Sequence, residues 1–142
     1  MPRRIEYGIT LLRVSLGLMF IAHSVLLKYF MYTLPGTARF FESIGLPGPL
    51  AYVVFWMEAI GGVLLVLGIG TRFGSLALVP ILLGAAWAHA GNGWVFSNAN
   101  GGWEYPLYLA VLATAQAMLG EGAFALRLSR FGRTSARSPA LA

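Results

Sequence analysis

The chain has 142 residues, of which 58% are hydrophobic and only 11% are charged, and its formal net charge is +5. About a quarter of the residues in a soluble domain are charged, so this composition excludes an ordinary soluble protein and indicates a protein of the lipid bilayer. The chain contains no cysteine, which excludes thiol exchange and thiolate ligation of a metal within the chain.

Four apolar stretches are long enough to cross a membrane, which takes roughly 20 mostly apolar residues. They occupy residues 9–27, 50–70, 73–91 and 103–120. The sequence therefore predicts an all-α fold, an integral membrane four-helix bundle, as a single domain over residues 1–126. Residues 127–142 are basic and serine-rich, which predicts a disordered cytoplasmic tail.

The first apolar stretch follows a basic N-terminal segment, as the apolar region of a secretory signal does. Arg13 interrupts this stretch, and no small-residue cleavage site follows it. We therefore expect the first helix to be retained in the mature protein.

The positions of the basic residues predict the orientation in the membrane. Lys and Arg in short loops near helix ends prefer the cytoplasmic side. With four spans, the termini and the second turn share one side, which carries Arg3, Arg4, Arg72, Arg127, Arg130, Arg133 and Arg137. The opposite side carries only Lys28 and Arg39. We therefore expect both termini in the cytoplasm of a bacterial-type inner membrane, with the basic residues facing anionic lipid rather than nucleic acid.

Each predicted span brings an ionisable residue to the outer half of the bundle. This outer polar set consists of His23, Lys28, Glu58, His89 and Glu104. Charges at bilayer depth are costly and normally face the interior of a bundle, where they pair. Gly61 and Gly62 share a helical face with Glu58, and small residues let another helix approach closely. The sequence therefore predicts one cavity lined by the outer polar set, opening to the outer face under a loop around Trp94 and Trp103.

Each residue of this set also has a purely structural interpretation. Glu58 could serve only to neutralise Lys28 or a histidine, and so hold helices together. His23 and His89 could be interior histidines bonded to carbonyls or carboxylates. Glu104 could be an interfacial carboxylate at a helix N-terminus, where the helix dipole favours a negative charge.

The other polar and aromatic residues have simpler interpretations. Arg72 follows the second span and is interpreted as a cytoplasmic anchor. The inner half of the spans carries only Arg13 and Gln116 as strongly polar residues. Four aromatic residues are typical of the membrane interface: Tyr29, Trp94, Trp103 and Tyr105.

Four segments carry a resemblance to a known family: LLRVSLGLMFIAHSVLLKYF, FWMEAIGGVLLVLGIGTRFGS, AWAHAGNGWVF and NGGWEYPLYLAVLATAQAMLGEGAFAL. They resemble the DoxX family of small four-helix membrane proteins. The resemblance runs from Leu11 to Leu126, and Ser24 departs from it where a glycine would be expected. It rests on an ordered series of residues: Arg13, His23, Lys28, Glu58, Gly61, Gly62, Arg72, His89, Gly101, Gly102, Glu104, Tyr105 and Pro106.

The resemblance implies a fold and, less specifically, a function. Proteins similar to this one are associated with membrane redox systems, including the membrane subunit of a thiosulfate:quinone oxidoreductase. A first hypothesis is therefore a quinone-interacting subunit of a membrane redox complex. Its candidate proton-transfer residues are His23, Glu58, His89 and Glu104. Its candidate substrate-binding residues are Lys28, Tyr105, Trp103 and Trp94, and its candidate structural residues are Arg13, Gly61, Gly62 and Arg72.

Two other hypotheses stay open. The same polar residues could form the site of a proton-coupled small-molecule transporter, or the bundle could be a non-catalytic scaffold that assembles a partner. A haem between His23 and His89 is a minor variant of the first hypothesis, because no further haem signature accompanies them, and no metal site is predicted. The expected partners are membrane lipid and a protein of a redox system, and an oligomer is possible.

Overall fold

A computed structural model describes residues 1–126, so the predicted tail at 127–142 lies outside the described residues. Within residues 1–126 the regular secondary structure is entirely helical, without a strand, which confirms the all-α prediction. Five α-helices follow one another: α1 (Arg3–Ile21), α2 (Leu34–Ser43), α3 (Pro49–Leu67), α4 (Thr71–Ala88) and α5 (Glu104–Leu119).

The first helix is longer than the sequence predicts. α1 continues without a break into a π-helical segment, Ala22–Met31, so that one rod of 29 residues runs from Arg3 to Met31. Hydrogen bonds in a π-helix join residues five apart rather than four, which changes the direction of the side chains that follow. The segment carries His23 and Lys28, two members of the outer polar set.

Within residues 1–126, three helices are long and apolar enough to cross a membrane: Arg3–Met31, Pro49–Leu67 and Thr71–Ala88. They make the chain an integral membrane protein. The fourth predicted span, at 103–120, contains α5, which has 16 residues. At 1.5 Å per residue α5 is about 24 Å long, which is less than the hydrocarbon thickness of about 30 Å. Its length alone therefore does not establish a fourth crossing.

Glycines set the spacing between α3 and its neighbours. A Cβ atom on Gly17 of α1 would lie 2.7 Å from the carbonyl oxygen of Gly62, and one on Gly62 would lie 2.8 Å from that of Gly17. A Cβ on Gly61 would instead lie 3.1 Å from the side chain of Leu78 in α4. The two adjacent glycines thus face different helices, and any side chain at Gly17 or Gly62 would force α1 and α3 apart.

The core lies among the four long helices. Its buried residues are Leu16, Phe20, Leu65, Leu78, Leu82, Leu109, Ala110 and Ala113. The short helix α2 lies outside this core and packs on the π-helical segment and α3. The sequence did not predict α2, because ten residues of mixed composition give no span-length apolar signal.

The antiparallel order of the long helices gives the molecule two ends. We call the end that holds the start of α1, the turn between α3 and α4, and the last turn of α5 the lower end. The upper end holds the π-helical segment, α2 and the loop that leads into α5. The outer polar set lies at the upper end, and Arg13 lies toward the lower end.

Candidate functional site

A partly buried ion pair joins the π-helical segment to α3. Lys28 Nζ lies 2.6 Å from Glu58 Oε2, and the side chains are 18% and 7% exposed, respectively. The structure thus selects Lys28 among the partners that the sequence left open for Glu58. Removing one member of such a pair leaves a charge buried without compensation, so the two residues fasten the upper end of the first rod to α3.

His23 lies against the start of α5. Its Nδ1 is 3.0 Å from the carbonyl oxygen of Met19, one turn earlier. A carbonyl can only accept a hydrogen bond, so Nδ1 donates in this contact. The His23 ring stacks on Tyr105, with ring centroids 6.0 Å apart and planes inclined by 29°. Two residues far apart in sequence are thereby brought together.

His89 makes the same kind of bond at the end of α4. Its Nδ1 is 2.7 Å from the carbonyl oxygen of Ala85, and its ring lies beside Gly101, where a Cβ would be 3.3 Å from His89 Cδ2. Gly101 has a φ of +79°, so this position favours glycine both for its backbone conformation and for its closeness to the imidazole.

Backbone hydrogen bonds hold the two ends of the loop before α5 together. Trp103 N–H donates to the Gly93 carbonyl and Glu104 N–H to the Trp94 carbonyl, each at 3.1 Å. The Trp94 and Trp103 rings meet edge to face with centroids 4.4 Å apart. Gly102 is buried against the carbonyl of Trp94, where a side chain would not fit. The loop is therefore a compact cap that fixes where α5 begins.

Glu104 is held by this cap. Its Oε2 accepts a hydrogen bond of 3.3 Å from the backbone N–H of Phe96, and its side chain is half-buried in the first turn of α5. An acidic residue in a first turn also interacts favourably with the helix dipole. The carboxylate keeps free acceptor positions, since a carboxylate can accept about four hydrogen bonds.

A cavity of about 480 Å³ opens along α5 and the loop. We call it the α5 groove, and its lining residues are Trp94, Phe96, Glu104, Tyr105, Leu107, Tyr108 and Val111. Of the outer polar set, only Glu104 lines the groove, while His23 stacks on Tyr105, which is itself a lining residue. The structure therefore places Lys28 and Glu58 in an ion pair, Glu104 at the groove and His89 beside Gly101. It does not gather all five residues around this one cavity.

Arg13 connects three segments near the lower end. It is 1% exposed, and its Nη1 donates to the carbonyls of Leu65 and Val66 at 3.1 and 3.2 Å. Its Nη2 donates to the carbonyl of Ala123 at 3.1 Å. The carbonyls of a last helical turn lack partners in their own helix and carry partial negative charge. Arg13 therefore caps α3 from α1, while Arg72 is exposed and lies beside Gly120.

Three completely buried hydroxyl residues were given no structural or functional role by the sequence reasoning. Ser24, Thr71 and Ser75 are each 0% exposed. Ser24 donates to the carbonyl of Phe20 at 2.9 Å, so the serine at the position expected to hold glycine is satisfied within its own helix. Thr71 and Ser75 lie on the face of α4 that also carries Leu78, and this spacing is the signal that could have identified them.

Comparison with known proteins places the chain among relatives. The DoxX family model matches residues 8–91. "Putative oxidoreductase CatD" of Bacillus subtilis (strain 168) is 42% identical over 85 residues, which cover 60% of this chain and 61% of the relative. The chain thus spans about three fifths of that relative's length. No solved structure matches the chain. Because the family model covers more than half of its residues, the chain belongs to the DoxX family.

Proposed function

We propose that this protein is a quinone-binding subunit of a membrane redox system and that the quinone binds in the α5 groove. The observation that carries the proposal is the groove itself. Its volume of about 480 Å³ falls within the range of roughly 300–1,000 Å³ that is usual for small-molecule sites. Its lining residues are aromatic or aliphatic except for Glu104, and its lining surface is mostly apolar, which suits a ring with an apolar tail.

The groove also suits a ligand that arrives from lipid. Tyr108 and Val111 are 59% and 58% exposed, and they lie one turn and two turns beyond Glu104 on α5. A tail lying along these residues would remain in contact with the hydrocarbon, while the ring would lie beside Glu104 and Trp94. The name of the Bacillus subtilis relative, which describes an oxidoreductase, supports a redox role for the family.

Reduction of a quinone to a quinol consumes two electrons and two protons. In this proposal the electrons come from a redox-active partner protein, and the chain supplies protons and orientation. Glu104 would hold a proton at its free carboxylate oxygen, within reach of the ring carbonyl. Tyr105 would donate a hydrogen bond, and His23, which stacks on Tyr105, would pass protons toward it. Lys28, Glu58 and His89 would hold the upper end in place.

The membrane arrangement belongs to the same proposal. We take α5 as the fourth span of a bundle in an inner membrane, since most of its exposed positions are apolar or aromatic, Thr114 being the exception, and it packs closely on α4. Both termini would be cytoplasmic, as the basic residues predict, and the α5 groove would face the outer side. A reporter fused after Ala142 should be active only if it functions in the cytoplasm. An externally active fusion would contradict this orientation.

A filled groove provides the test of quinone binding. A ligand that binds only the folded state raises the melting temperature, so a short-chain ubiquinone analogue should raise that of the purified protein. Val111→Trp, which places an indole in the groove, should abolish the rise. Val63→Trp, the same change at an exposed position of α3, should preserve it. If the analogue stabilises wild type and both variants equally, or none of them, the groove is not its site.

A non-catalytic scaffold is the second candidate, and one observation favours it. Lys28 and Glu58 neutralise each other, and His23 and His89 each bond to a carbonyl of their own helix. Four of the five residues in the outer polar set are therefore satisfied without a ligand. If no quinone analogue binds, these contacts are best explained as the structural frame of an assembly protein.

A further inference from the structure

The apolar core has a polar layer beneath it, toward the lower end. Leu16, Leu78 and Ala113 belong to the core, and residues three positions apart on a helix share a face. One turn toward the lower end, these three faces carry polar residues instead of apolar ones. Together with Thr71, one further turn along α4, they form what we call the lower polar layer: Arg13, Thr71, Ser75 and Gln116.

The members of this layer all lie toward the lower end of the molecule. Arg13 bonds to carbonyls of the last turn of α3, and its guanidinium lies against Gly68, just before the turn into α4. Thr71 and Ser75 occupy the first two turns of α4, and Gln116 lies in the last turn of α5. All four residues are at most 1% exposed.

Each member has a buried polar atom without a hydrogen-bond partner among residues 1–126. These atoms are Arg13 Nε, Thr71 Oγ1, Ser75 Oγ and Gln116 Oε1. Two other helical hydroxyls behave differently, because Ser24 and Thr114 donate to carbonyls of their own helices at 2.9 and 2.8 Å. Buried polar atoms in folded proteins nearly always have a partner, and hydrocarbon around a bundle offers none.

The chemistry of the four atoms selects the ligand. Arg13 Nε–H is a donor, Gln116 Oε1 is an acceptor, and the two hydroxyls can do both. The positive charge of Arg13 disfavours a cation. The oxygen of Gln116 and the α3 carbonyls around Arg13 disfavour an anion. Water both donates and accepts, and buried waters typically make about three hydrogen bonds to groups that would otherwise be unsatisfied.

We propose that the lower polar layer binds ordered water molecules that bridge Arg13 and Gln116 through the hydroxyls of Thr71 and Ser75. The site lies at the opposite end of the molecule from the α5 groove, so it stands independently of the proposed quinone function. It makes the lower end of the core a hydrated structural element within the membrane-spanning region.

Removal of the hydroxyls tests the proposal, because it should lower the melting temperature if the layer is hydrated and raise it if the layer is dry. In a hydrated layer, Thr71→Val removes bonds to water and should lower the melting temperature by roughly 2–4 °C. In a dry layer the same change removes an unsatisfied buried group and should raise it. Ser75→Ala should also lower the melting temperature, although alanine has the better helix propensity. Thr114→Val is the control for the threonine-to-valine change itself, since Thr114 is exposed and its hydroxyl bonds within α5.

A second measurement detects the ordered water molecules directly. A crystal structure of the wild-type protein should show ordered water within hydrogen-bond distance of Arg13 Nε and Gln116 Oε1. A melting temperature that rises in both hydroxyl variants would overturn the proposal. So would electron density in which the layer is closed by direct side-chain contacts without water.

Discussion

The Lys28–Glu58 pair and the α5 groove lie at the same end of the molecule. Each contains a carboxylate, but the two carboxylates differ in burial and in the partners they have. Glu58 is 5% exposed, and its Oε2 lies 2.6 Å from Lys28 Nζ in an ion pair. Glu104 is half-buried, accepts one bond of 3.3 Å from Phe96 N–H and borders an open cavity. The difference teaches that depth in the membrane marks a carboxylate that needs a partner, whereas adjoining open volume marks one that can serve a ligand.

The family match includes the Lys28–Glu58 pair but not the α5 groove. Residues 8–91 match the DoxX family model, and they include Lys28, Glu58 and the Gly17–Gly62 contact but not the α5 groove. The ion pair is therefore part of the matched frame, while the lining of the groove lies outside it. Changes at the pair should act on stability, and changes in the groove should act on binding.

The largest expected effect is on stability at the ion pair. Glu58→Ala leaves the Lys28 ammonium buried without its partner, so it should reduce the free energy of unfolding by about 3–5 kcal/mol. Thermal unfolding in detergent measures this loss, with Glu42→Ala in the exposed part of α2 as the control. A loss no larger than that of the control would mean that Lys28 reaches water or headgroups when Glu58 is removed.

The next effect is on binding at the groove. Tyr105→Leu removes the ring that stacks on His23 and a hydroxyl beside Glu104, so the Kd of a ubiquinone analogue should rise about tenfold, or 1.4 kcal/mol. Tyr52→Leu is a close control, since Tyr52 and Tyr105 are 39% and 40% exposed. Equal Kd values for the two variants would remove Tyr105 from the binding site.

Replacing both Lys28 and Glu58 should reduce the free energy of unfolding less than replacing Glu58 alone. A protein carrying Lys28→Met and Glu58→Met buries no charge at this position, and such replacements are often neutral. We expect its free energy of unfolding to lie within about 1 kcal/mol of wild type. If the double variant is as unstable as Glu58→Ala, specific polar contacts beyond the mutual neutralisation of these charges hold the upper end.

The smallest expected effect on stability belongs to the carboxylate of the groove. Glu104→Gln retains an oxygen that can accept the Phe96 N–H, so the free energy of unfolding should change by about 0.5 kcal/mol or less. The same unfolding measurement as for Glu58→Ala reports it. A loss similar to that of Glu58→Ala would mean that Glu104 is also a structural anchor, and the contrast between the two carboxylates would disappear.

Much of the helical framework could be predicted from the apolar composition of the spans and from the prolines and glycines at helix ends. The stretch predicted at 50–70 forms α3 at Pro49–Leu67, because proline is tolerated in a first helical turn and Gly68, with a φ of +76°, ends the helix in the left-handed conformation. The pairing of Glu58 also follows from sequence, since a deep carboxylate needs a positive partner.

Other features depend on geometry that composition does not encode. The π-helical segment Ala22–Met31 arises from a shift in hydrogen bonding that leaves the apolar pattern unchanged. The contact of His23 with Tyr105 depends on how α1 and α5 pack. The spacing of Thr71 and Ser75 puts them on the face of Leu78, but their complete burial and their lack of partners within residues 1–126 are visible only in the structure.

Photochemical labelling tests the central claim most directly, namely that a quinone binds in the α5 groove. A photoreactive ubiquinone analogue is irradiated with the purified protein, and the labelled peptides are identified by mass spectrometry. The account predicts labelling within residues 94–111, suppressed by an excess of unlabelled quinone and absent in Val111→Trp. Labelling confined to α3 or α4, or labelling that excess quinone leaves unchanged, would contradict it.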